Sequence, residues 1–389
     1  MNMSTDETVS EVRKAAAALG PQIREAAEET EQGRRLPPRI AQAIKECGVF
    51  GMAMPPAWGG AGLDPLEQLR VIETLARFDA SAGWCAMIGI DGGWYSSFLD
   101  QDVARELFRD ANAATASSIL FAGNAKRVDG GYRVSGRWPF VSGCQHSECW
   151  AFTCNVIDQG GKRIPEMRLV YVRASMGQVL DTWYSTGLRG SGSHDVELKD
   201  VFVPEAHTIS FPQFQAQRPG PLWAFPLLFL YVFPGVALGV ARAAIDAFID
   251  IANRREITIA ALGGQRVLLR TAAAAQSTVA QAEGLVRSSR SHIFQVMGEI
   301  WATLMRGESL STQLRASYTI AVTNAHRNCT KAVDLLFKAN GGSSVYARGP
   351  LDRCFRDMHT INQHHLASSA FDEKAGQVLL GLEPVDQFF

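Results

Sequence analysis

The stretch that decides the fold is GGYRVSGRWPFVSGCQHSECW, which runs from Gly130 to Trp150. Alternating apolar and polar residues on both sides of Asp129-Gly130 predict a β-hairpin. The second run ends in the small residues Ser142-Gly143-Cys144, where a backbone can approach a flat ligand without side-chain obstruction. From this segment alone two interpretations stay open: a hairpin beside a ligand, or an ordinary hairpin with a core tryptophan.

The composition indicates a large globular chain with balanced charge. It has 389 residues, with 38 basic and 39 acidic side chains, and this length is enough for two or three layers around a sizeable core. The balanced charge, without a basic tail or an RNA-type aromatic motif, argues against nucleic acid as a partner. Seven scattered cysteines lack CxxC spacing, so we expect free thiols, a reducing compartment and no metal site.

One apolar segment raises the question of a membrane. Leu222 to Ala241 is almost wholly apolar and close to the length that spans a bilayer. Pro226 and Pro234 interrupt it, and Arg242 and Asp246 continue the same helical pattern. We therefore predict a buried core helix entered through a proline-broken loop, and no membrane partner. The N-terminus has no apolar signal-peptide core, so we expect a soluble, cytoplasmic protein.

The periodicity divides the chain into three blocks. Residues 1 to about 114 have helical spacing, residues 115 to 215 alternate with period two, and residues 216 to 389 are helical again. No low-complexity linker separates them, so we expect one packed unit. The helices predicted most clearly are Val9–Glu31, Pro37–Glu46, Pro65–Phe78, Val236–Asn253, Arg266–Arg306 and Ser311–Ala339.

The block order and several motifs resemble the acyl-CoA dehydrogenase family over essentially the whole chain. The resemblance implies N-terminal helices (1–114), a central antiparallel, β-barrel-like block (115–215) and a C-terminal four-helix bundle (216–389), together an α+β fold. Each motif alone is weak evidence for the family, but the occurrence of all of them in this order is specific to it. The motifs are Gly48 to Gly51 with Trp58 to Gly62, Trp138 to Gly143, Gly187 to Ser193 with Val201 to Pro204, and Ala339 to Tyr346 with Gly349 to Arg353.

The region after Arg356-Asp357 selects a branch of that family. The dehydrogenases remove an α-proton with a glutamate, often near this motif, because a carboxylate is a suitable base there. Here no Glu lies between Arg356 and Asp372, and a histidine, His364, stands eight residues after Arg356. This pattern resembles the flavin-dependent monooxygenases of the same fold. Some relatives carry the base on an earlier helix, where this chain offers Asp246, Asp250 and Glu256.

Four residues are candidates for catalysis through the resemblance: His364, its neighbour His365, Asp91 and Ser142. An imidazole can donate or accept a proton near neutral pH. Asp91 stands where the branch has a histidine, and an ionised carboxylate can only accept a hydrogen bond. Three roles therefore stay open for Asp91. Burial keeps it protonated, or it binds a polar group of the substrate, or another residue handles the protons. The structural alternatives are helix caps for the histidines and a turn residue for Asp91.

The resemblance also implies the cofactor, which is reduced flavin, either FAD or FMN, with O₂ as co-substrate. No Walker motif or Rossmann fingerprint marks an NAD(P)H site, so the flavin would arrive reduced from a separate reductase. The loop after Ala339 would serve the flavin of a neighbouring subunit, which implies a homotetramer. The predicted flavin contacts are Trp138, Phe140, Ser142, Gly143, Arg189, Ser191, Ser193, Arg254, Asn340, Gly341 and Gly342.

The function implied is the oxygenase component of a two-component flavin-dependent monooxygenase. Its substrate would be a small aromatic or heteroaromatic molecule. Two alternatives remain: a dehydrogenase or oxidase that acts on a CoA thioester, and a flavin-binding protein without catalysis. The predicted walls of the substrate pocket are aromatic: Trp84, Trp94, Trp223, Phe225 and Phe229.

Overall fold

The computed structural model describes residues 9–212, 215–224, 231–259, 264–347 and 349–383, leaving aside the side chains of residues 120–122 and 259. Within these ranges the chain runs through helices, then strands, then helices, as predicted. The helices of the first block are α1 (Glu11–Ala18), α2 (Gly20–Glu25), α3 (Ala27–Gly33), α4 (Pro38–Glu46), α5 (Pro65–Phe78), α6 (Ala80–Gly89), α7 (Asp91–Tyr95) and α8 (Gln101–Leu107).

Local sequence signals set the boundaries of the two central helices of this block. Asp64 caps α5 by accepting from the amide of Glu67, and Pro65 follows at the first helical position. Asp79 caps α6 in the same way through the amide of Ala82. Every residue of α6 is buried, because this helix contacts α5, strand β1 (Thr115–Val128) and helices of the third block. Side chains on α6 are therefore held at the centre of the molecule.

The central block is a seven-stranded sheet in the order β5-β6-β2-β1-β3-β4-β7. The Asp129-Gly130 turn joins β1 to β2 as predicted, with Gly130 at φ 74°. The remaining strands are β2 (Gly131–Val141), β3 (Cys149–Ile157), β4 (Arg163–Arg173), β5 (Gln178–Leu180), β6 (His194–Pro204) and β7 (Thr208–Ser210).

The expectation of an antiparallel, barrel-like block is wrong in two respects. The edge strands β5 and β7 do not pair with each other in the described chain, so the sheet is open. Each has only three residues, and closure requires long, staggered strands. Strand β3 runs parallel to β1, because β2 returns along one side of β1 before residues 142–148 carry the chain to the other side.

The third block contains a short hairpin and five helices in its described part. The predicted helix Arg266–Arg306 is wrong at its start, because Gln265–Leu268 pairs with Glu256–Ile259 as a strand. Gly341, at φ 65°, follows the end of α11 close to the predicted position. The elements are α9 (Phe233–Arg254), β8 (Glu256–Ile259), β9 (Gln265–Leu268), α10 (Ala273–Met305), α11 (Thr312–Ala339), α12 (Pro350–Ile361) and α13 (Ser369–Leu379).

Two large hydrophobic cores, and a small third cluster between α11 and α13, hold the described part of the molecule together. One lies within the sheet and contains Trp138, Trp150 and Phe152. The other is continuous between the first and third blocks, since α5 packs along α9, which also packs on α11. The predicted block boundaries near residues 114 and 215 stay predictions. None of the described helices combines the length and the apolarity needed to cross a membrane.

Candidate active site

Three serines and a tryptophan form a hydrogen-bond chain where α6 meets the sheet. The Nε1–H of Trp84 donates to Oγ of Ser142 over 2.9 Å, and Ser142 Oγ lies 2.7 Å from Oγ of Ser193. Ser193 Oγ lies 2.6 Å from Oγ of Ser191. The amide of Gly143 donates to the carbonyl of Ser191 over 2.9 Å. The structure thus brings together the three predicted serines and Trp84.

A β-bulge at the end of β2 decides which aromatic ring faces outward. The pairing of β2 with β6 shifts register between Trp138 and Val141, and Phe140 adopts φ 60°, which is rare for a bulky residue. Both Trp138 and Val141 therefore point into the sheet core, whereas Phe140 is 60% exposed. The Nε1–H of Trp138 donates to the carbonyl of Thr153. Of the two rings, only that of Phe140 presents a surface to a ligand.

The Arg356-Asp357 pair on α12 positions the loop that carries two of these serines. Asp357 accepts from the amide of Leu188 over 2.7 Å, and Leu188 adopts φ 47°. A Cβ at Gly187 would lie 2.1 Å from the carbonyl oxygen of Arg356. Arg356 pairs with Glu31 on α3. Burial and the nearby charge of another aspartate raise the pKa of Asp357 to about 7.

His364 lies among aromatic rings next to the serine chain. Its ring centroid is 5.7 Å from Trp84 and 5.0 Å from Phe233, the first residue of α9. His326 on α11 stacks on the other side of this cluster, 4.1 Å from Phe233. Sequence reasoning named Phe233 as a possible pocket wall but missed His326, although a histidine within the apolar stripe of α11 was an available signal. Four elements far apart in sequence thus meet at one point.

The imidazoles of this cluster are neutral near pH 7. Burial, with the neighbouring histidines, lowers the pKa of His364 to about 3. Burial also lowers the pKa of His326 to about 4; its Nδ1 lies 3.2 Å from Oδ1 of Asn362. His365 is exposed and its ring lies near Phe371. His364, and not His365, therefore lies against the indole that donates to Ser142, and its neutral ring can accept a hydrogen bond.

Asp91 is the first residue of α7 and follows Trp84 by seven positions. Ile90 separates the two helices, since it ends α6 and precedes α7. Asp91 is 3% exposed, and its Oδ2 has no hydrogen-bond partner among the described residues. Burial raises its pKa well above the ordinary value, which favours the protonated carboxyl. Asp91 can then donate a hydrogen bond as well as accept one.

Tyrosines surround this carboxyl. Burial raises the pKa of Tyr95, Tyr171 and Tyr231, and each of these tyrosines is also close enough to Asp91 to interact with it electrostatically. The rings of Tyr95 and Tyr171 meet edge to face, with centroids 5.5 Å apart. Tyr231 precedes Phe233 by two residues, which connects this polar region to the His364 cluster.

The predicted substrate-pocket aromatics are not all gathered at this point. Trp84 lies in the cluster, but Trp94 packs on Tyr95 and Phe98. Trp223 lies beside the guanidinium of Arg218. Phe225 and Phe229 are outside the described residues.

The predicted cofactor residues of the third block form a separate group. Arg255, and not the predicted Arg254, contacts the loop after α11: its Nη1 donates to the carbonyl of Asn340 over 2.6 Å and to Oδ1 over 2.9 Å. Arg254 pairs with Asp250 at the surface. The predicted glycines Gly341 and Gly342 follow Asn340 directly. Arg189 lies outside the serine chain, where its Nε donates to the carbonyl of Ser185.

None of the alternative carboxylate bases joins the His364 cluster. Asp246 pairs with Arg77, Asp250 with Arg254, and Glu256 with Arg266. Each of these pairs lies at least partly at the surface. No cluster of histidine, cysteine or acidic residues suited to a metal ion occurs in the described ranges.

Comparison with known proteins agrees with this architecture. Residues 5–99 match the N-terminal domain of acyl-CoA dehydrogenase, and residues 231–369 match its C-terminal domain. The chain is 28% identical to the indole-3-acetate monooxygenase of Acinetobacter baumannii, over 89% of this chain and 87% of that protein.

Two further relatives extend the similarity. The flavin-dependent monooxygenase oxygenase subunit HsaA of Mycobacterium tuberculosis is 27% identical, over 93% of this chain and 92% of its own. The structure of XiaF from Streptomyces sp., in complex with FADH₂ and glycerol, superposes with a TM-score of 0.87 at 25% identity, covering 97% of this chain and 96% of that one. The chain therefore belongs to the acyl-CoA dehydrogenase family, in its branch of flavin-dependent monooxygenases.

Proposed function

We propose that this chain is the oxygenase component of a two-component monooxygenase that uses reduced flavin and O₂ to oxygenate a small aromatic substrate. One observation carries the proposal: a half-buried, neutral imidazole, His364, lies beside the Trp84–Ser142 hydrogen bond, with no ionised carboxylate from the dehydrogenase positions in this cluster. Such an imidazole can accept a hydrogen bond from a phenol or an indole N–H, but it is too weak a base to remove the α-proton of a thioester.

The residues of the hairpin end fit a flavin ring. Phe140 offers an exposed aromatic face, the hydroxyls of Ser142 and Ser193 can exchange hydrogen bonds with ring heteroatoms, and Gly143 at φ 74° lets the backbone approach closely. Reduced flavin, when bound, activates O₂ for transfer of one oxygen atom. Trp138 supports this surface from inside the sheet.

The chain's own residues would then control position and protons. The rings of Trp84 and Phe233 pack near His364, and the lowered pKa of His364 keeps its imidazole neutral at working pH. A neutral His364 can accept a hydrogen bond from a substrate hydroxyl or ring N–H at one ring nitrogen. The protonated Asp91 can donate a hydrogen bond to a polar atom of the substrate.

The partners follow from this assignment. A separate reductase would supply the reduced flavin, FAD or FMN. Val345 and Tyr346, in the loop after Asn340, are 78% and 69% exposed, and a neighbouring subunit with its flavin would cover them. We propose a homotetramer that associates through a four-helix bundle of α9, α10, α11 and α12. The seven free thiols support a cytoplasmic location.

A reductase-coupled assay tests the proposed function. The purified chain, a general NADH:flavin reductase and FAD or FMN are mixed in air with a panel of phenols, aryl acetates and indoles. We expect a product heavier by one oxygen atom, with ¹⁸O derived from O₂. As a control, acyl-CoA esters are added anaerobically to protein loaded with oxidised flavin. Bleaching of the flavin there, with no oxygenated product in air, would favour the dehydrogenase alternative.

The neutral state of Asp91 predicts an unusual response of stability to pH. A carboxyl whose pKa is raised on folding stabilises the protein fully below its unfolded pKa, and this contribution is lost as the pH rises toward the folded pKa. We expect Asp91→Asn to melt at a temperature increasingly above that of wild type as the pH rises from 5 to 9.

A second aspartate provides the control for this measurement. Asp200 is exposed, so Asp200→Asn should follow wild type at every pH. Because an amide can also donate a hydrogen bond, Asp91→Asn should retain product formation within about tenfold, whereas Asp91→Leu should lose more. A melting difference that does not change with pH would show that Asp91 is ionised in the folded chain.

A further inference from the structure

Arg218 is a half-buried arginine that has no carboxylate partner among the described residues. It lies in the segment between β7 and α9, and it makes no ion pair in the part of the chain that the structure describes. Nη2 donates to Oγ of Ser96 over 2.8 Å. Nε and Nη1 are shielded from solvent, and neither has a hydrogen-bond partner within the described ranges. Burial lowers the pKa of this guanidinium, since desolvation opposes its charge.

Two tryptophans hold the guanidinium in place. Its central carbon lies 4.2 Å from the ring centroid of Trp58 and 5.3 Å from that of Trp223. Cation–π contacts of this kind offset part of the cost of desolvation, but they leave the N–H donors unused. The amide of Gln217 also donates to the carbonyl of Ser97 over 2.7 Å. The side chain is therefore fixed in orientation while most of its hydrogen-bonding capacity remains free.

A structural arginine in this protein behaves differently. Arg356 is comparably enclosed, but it binds the carboxylates of Glu31 and Asp352 and the carbonyl of Thr186. A buried cation normally has such a partner, because an unpaired charge in a protein interior is costly. The described residues offer Arg218 no such partner, which points to an anion bound from outside the chain.

The position of Arg218 identifies that anion. Ser96 directly follows α7, the helix that begins with Asp91, so the guanidinium lies at the end of the segment that carries Trp84 and Asp91. We propose that Arg218 binds the carboxylate of the substrate, and that the substrate is an aromatic acid. This inference rests on the proposed function. Planar carboxylates accept strong, charge-assisted hydrogen bonds from a guanidinium, and the two indoles favour an aromatic body attached to that group.

Equilibrium binding tests this assignment without turnover. Calorimetry on the full chain compares benzoate, phenylacetate and indole-3-acetate with their uncharged amides. We expect the wild type to bind at least one acid about tenfold or more tightly than its amide. Arg218→Gln should remove this preference, and Arg218→Lys should restore only part of it, because lysine lacks the planar fork.

Arg105 provides a matched control. Its guanidinium lies 5.5 Å from the same ring of Trp58, but the residue is exposed, so Arg105→Gln should keep the preference. Arg218→Gln should melt at or above the wild-type temperature, since it removes an unpaired buried charge. Three results would each overturn the proposal. None of the three acids binds, or acids and amides bind equally, or Arg218→Gln loses the same affinity for the acids as for the amides. The proposed function fails separately, if no aromatic compound is oxygenated in the reductase-coupled assay.

Discussion

His364→Ala is expected to reduce coupled product formation by about 10²-fold or more, the usual contribution of a positioned acid or base. The reason is geometric: His364 is the imidazole that faces Trp84 and, through it, Ser142. NADH consumption should continue, because flavin reduction takes place on another protein. Its electrons should appear as hydrogen peroxide. Product is measured by mass spectrometry and peroxide by a peroxidase assay in the same sample.

The neighbouring histidine supplies the control for this experiment. His365 is exposed and lies near Phe371. His365→Ala should therefore form as much product per NADH consumed as wild type does. Because His364→Ala also removes a ring from an aromatic cluster, melting curves establish that both variants are folded. If folded His364→Ala forms as much product per NADH consumed as wild type, His364 has no role in the mechanism. Asp91 would then be the candidate for handling protons.

Gly187→Ala is expected to destabilise the protein by about 2–3 kcal/mol, in the upper range for overpacking. The new Cβ would lie 2.1 Å from the carbonyl oxygen of Arg356 and 2.7 Å from the amide nitrogen of Asp357. Both are backbone atoms of α12, so neither can move alone. The Gly187 loop must then separate from the helix, which also breaks the Asp357–Leu188 hydrogen bond. Chemical denaturation measures the loss in free energy of unfolding.

A second glycine distinguishes this clash from a general effect of adding a methyl group. Gly284 lies within α10, and a Cβ there meets no heavy atom within 4 Å. Gly284→Ala should leave stability unchanged or raise it by up to about 1 kcal/mol, because alanine is the better helix former. If the two variants unfold at the same denaturant concentration, the contact between the loop and α12 does not govern stability.

The sequence predicted the local elements well and their assembly less well. The Asp129-Gly130 turn, the helix Pro65–Phe78 and the end of α11 at Ala339 are signalled by residues next to them, and all three are confirmed. Closure of the sheet depends on how its edge strands pair, which no local pattern reveals. The late start of α10 has the same origin, since Gln265–Leu268 becomes a strand only through its partner Glu256–Ile259.

For the candidate site, the residue types were identified more reliably than their orientation. Ser142, Ser191 and Ser193 do meet. The bulge at Phe140 changes which side chains point inward, and strict alternation cannot anticipate it. Arg254 stays a predicted flavin contact, whereas its neighbour Arg255 is the arginine that contacts Asn340. Phe233 and His326 reach the site from separate helices, so only the packed structure reveals their contact.

The core shared by α5 and α9 has a consequence for biosynthesis. Helix α5 leaves the ribosome about 150 residues before α9, which at typical elongation rates is a delay on the order of 10 seconds. During that interval the apolar face of α5, with Leu69, Ile72 and Leu75, has no access to its final partner. The sheet can form meanwhile, since its strands lie between the two helices in sequence. The nascent chain is thus most exposed to aggregation just before α9 emerges, when chaperones would have the most to protect.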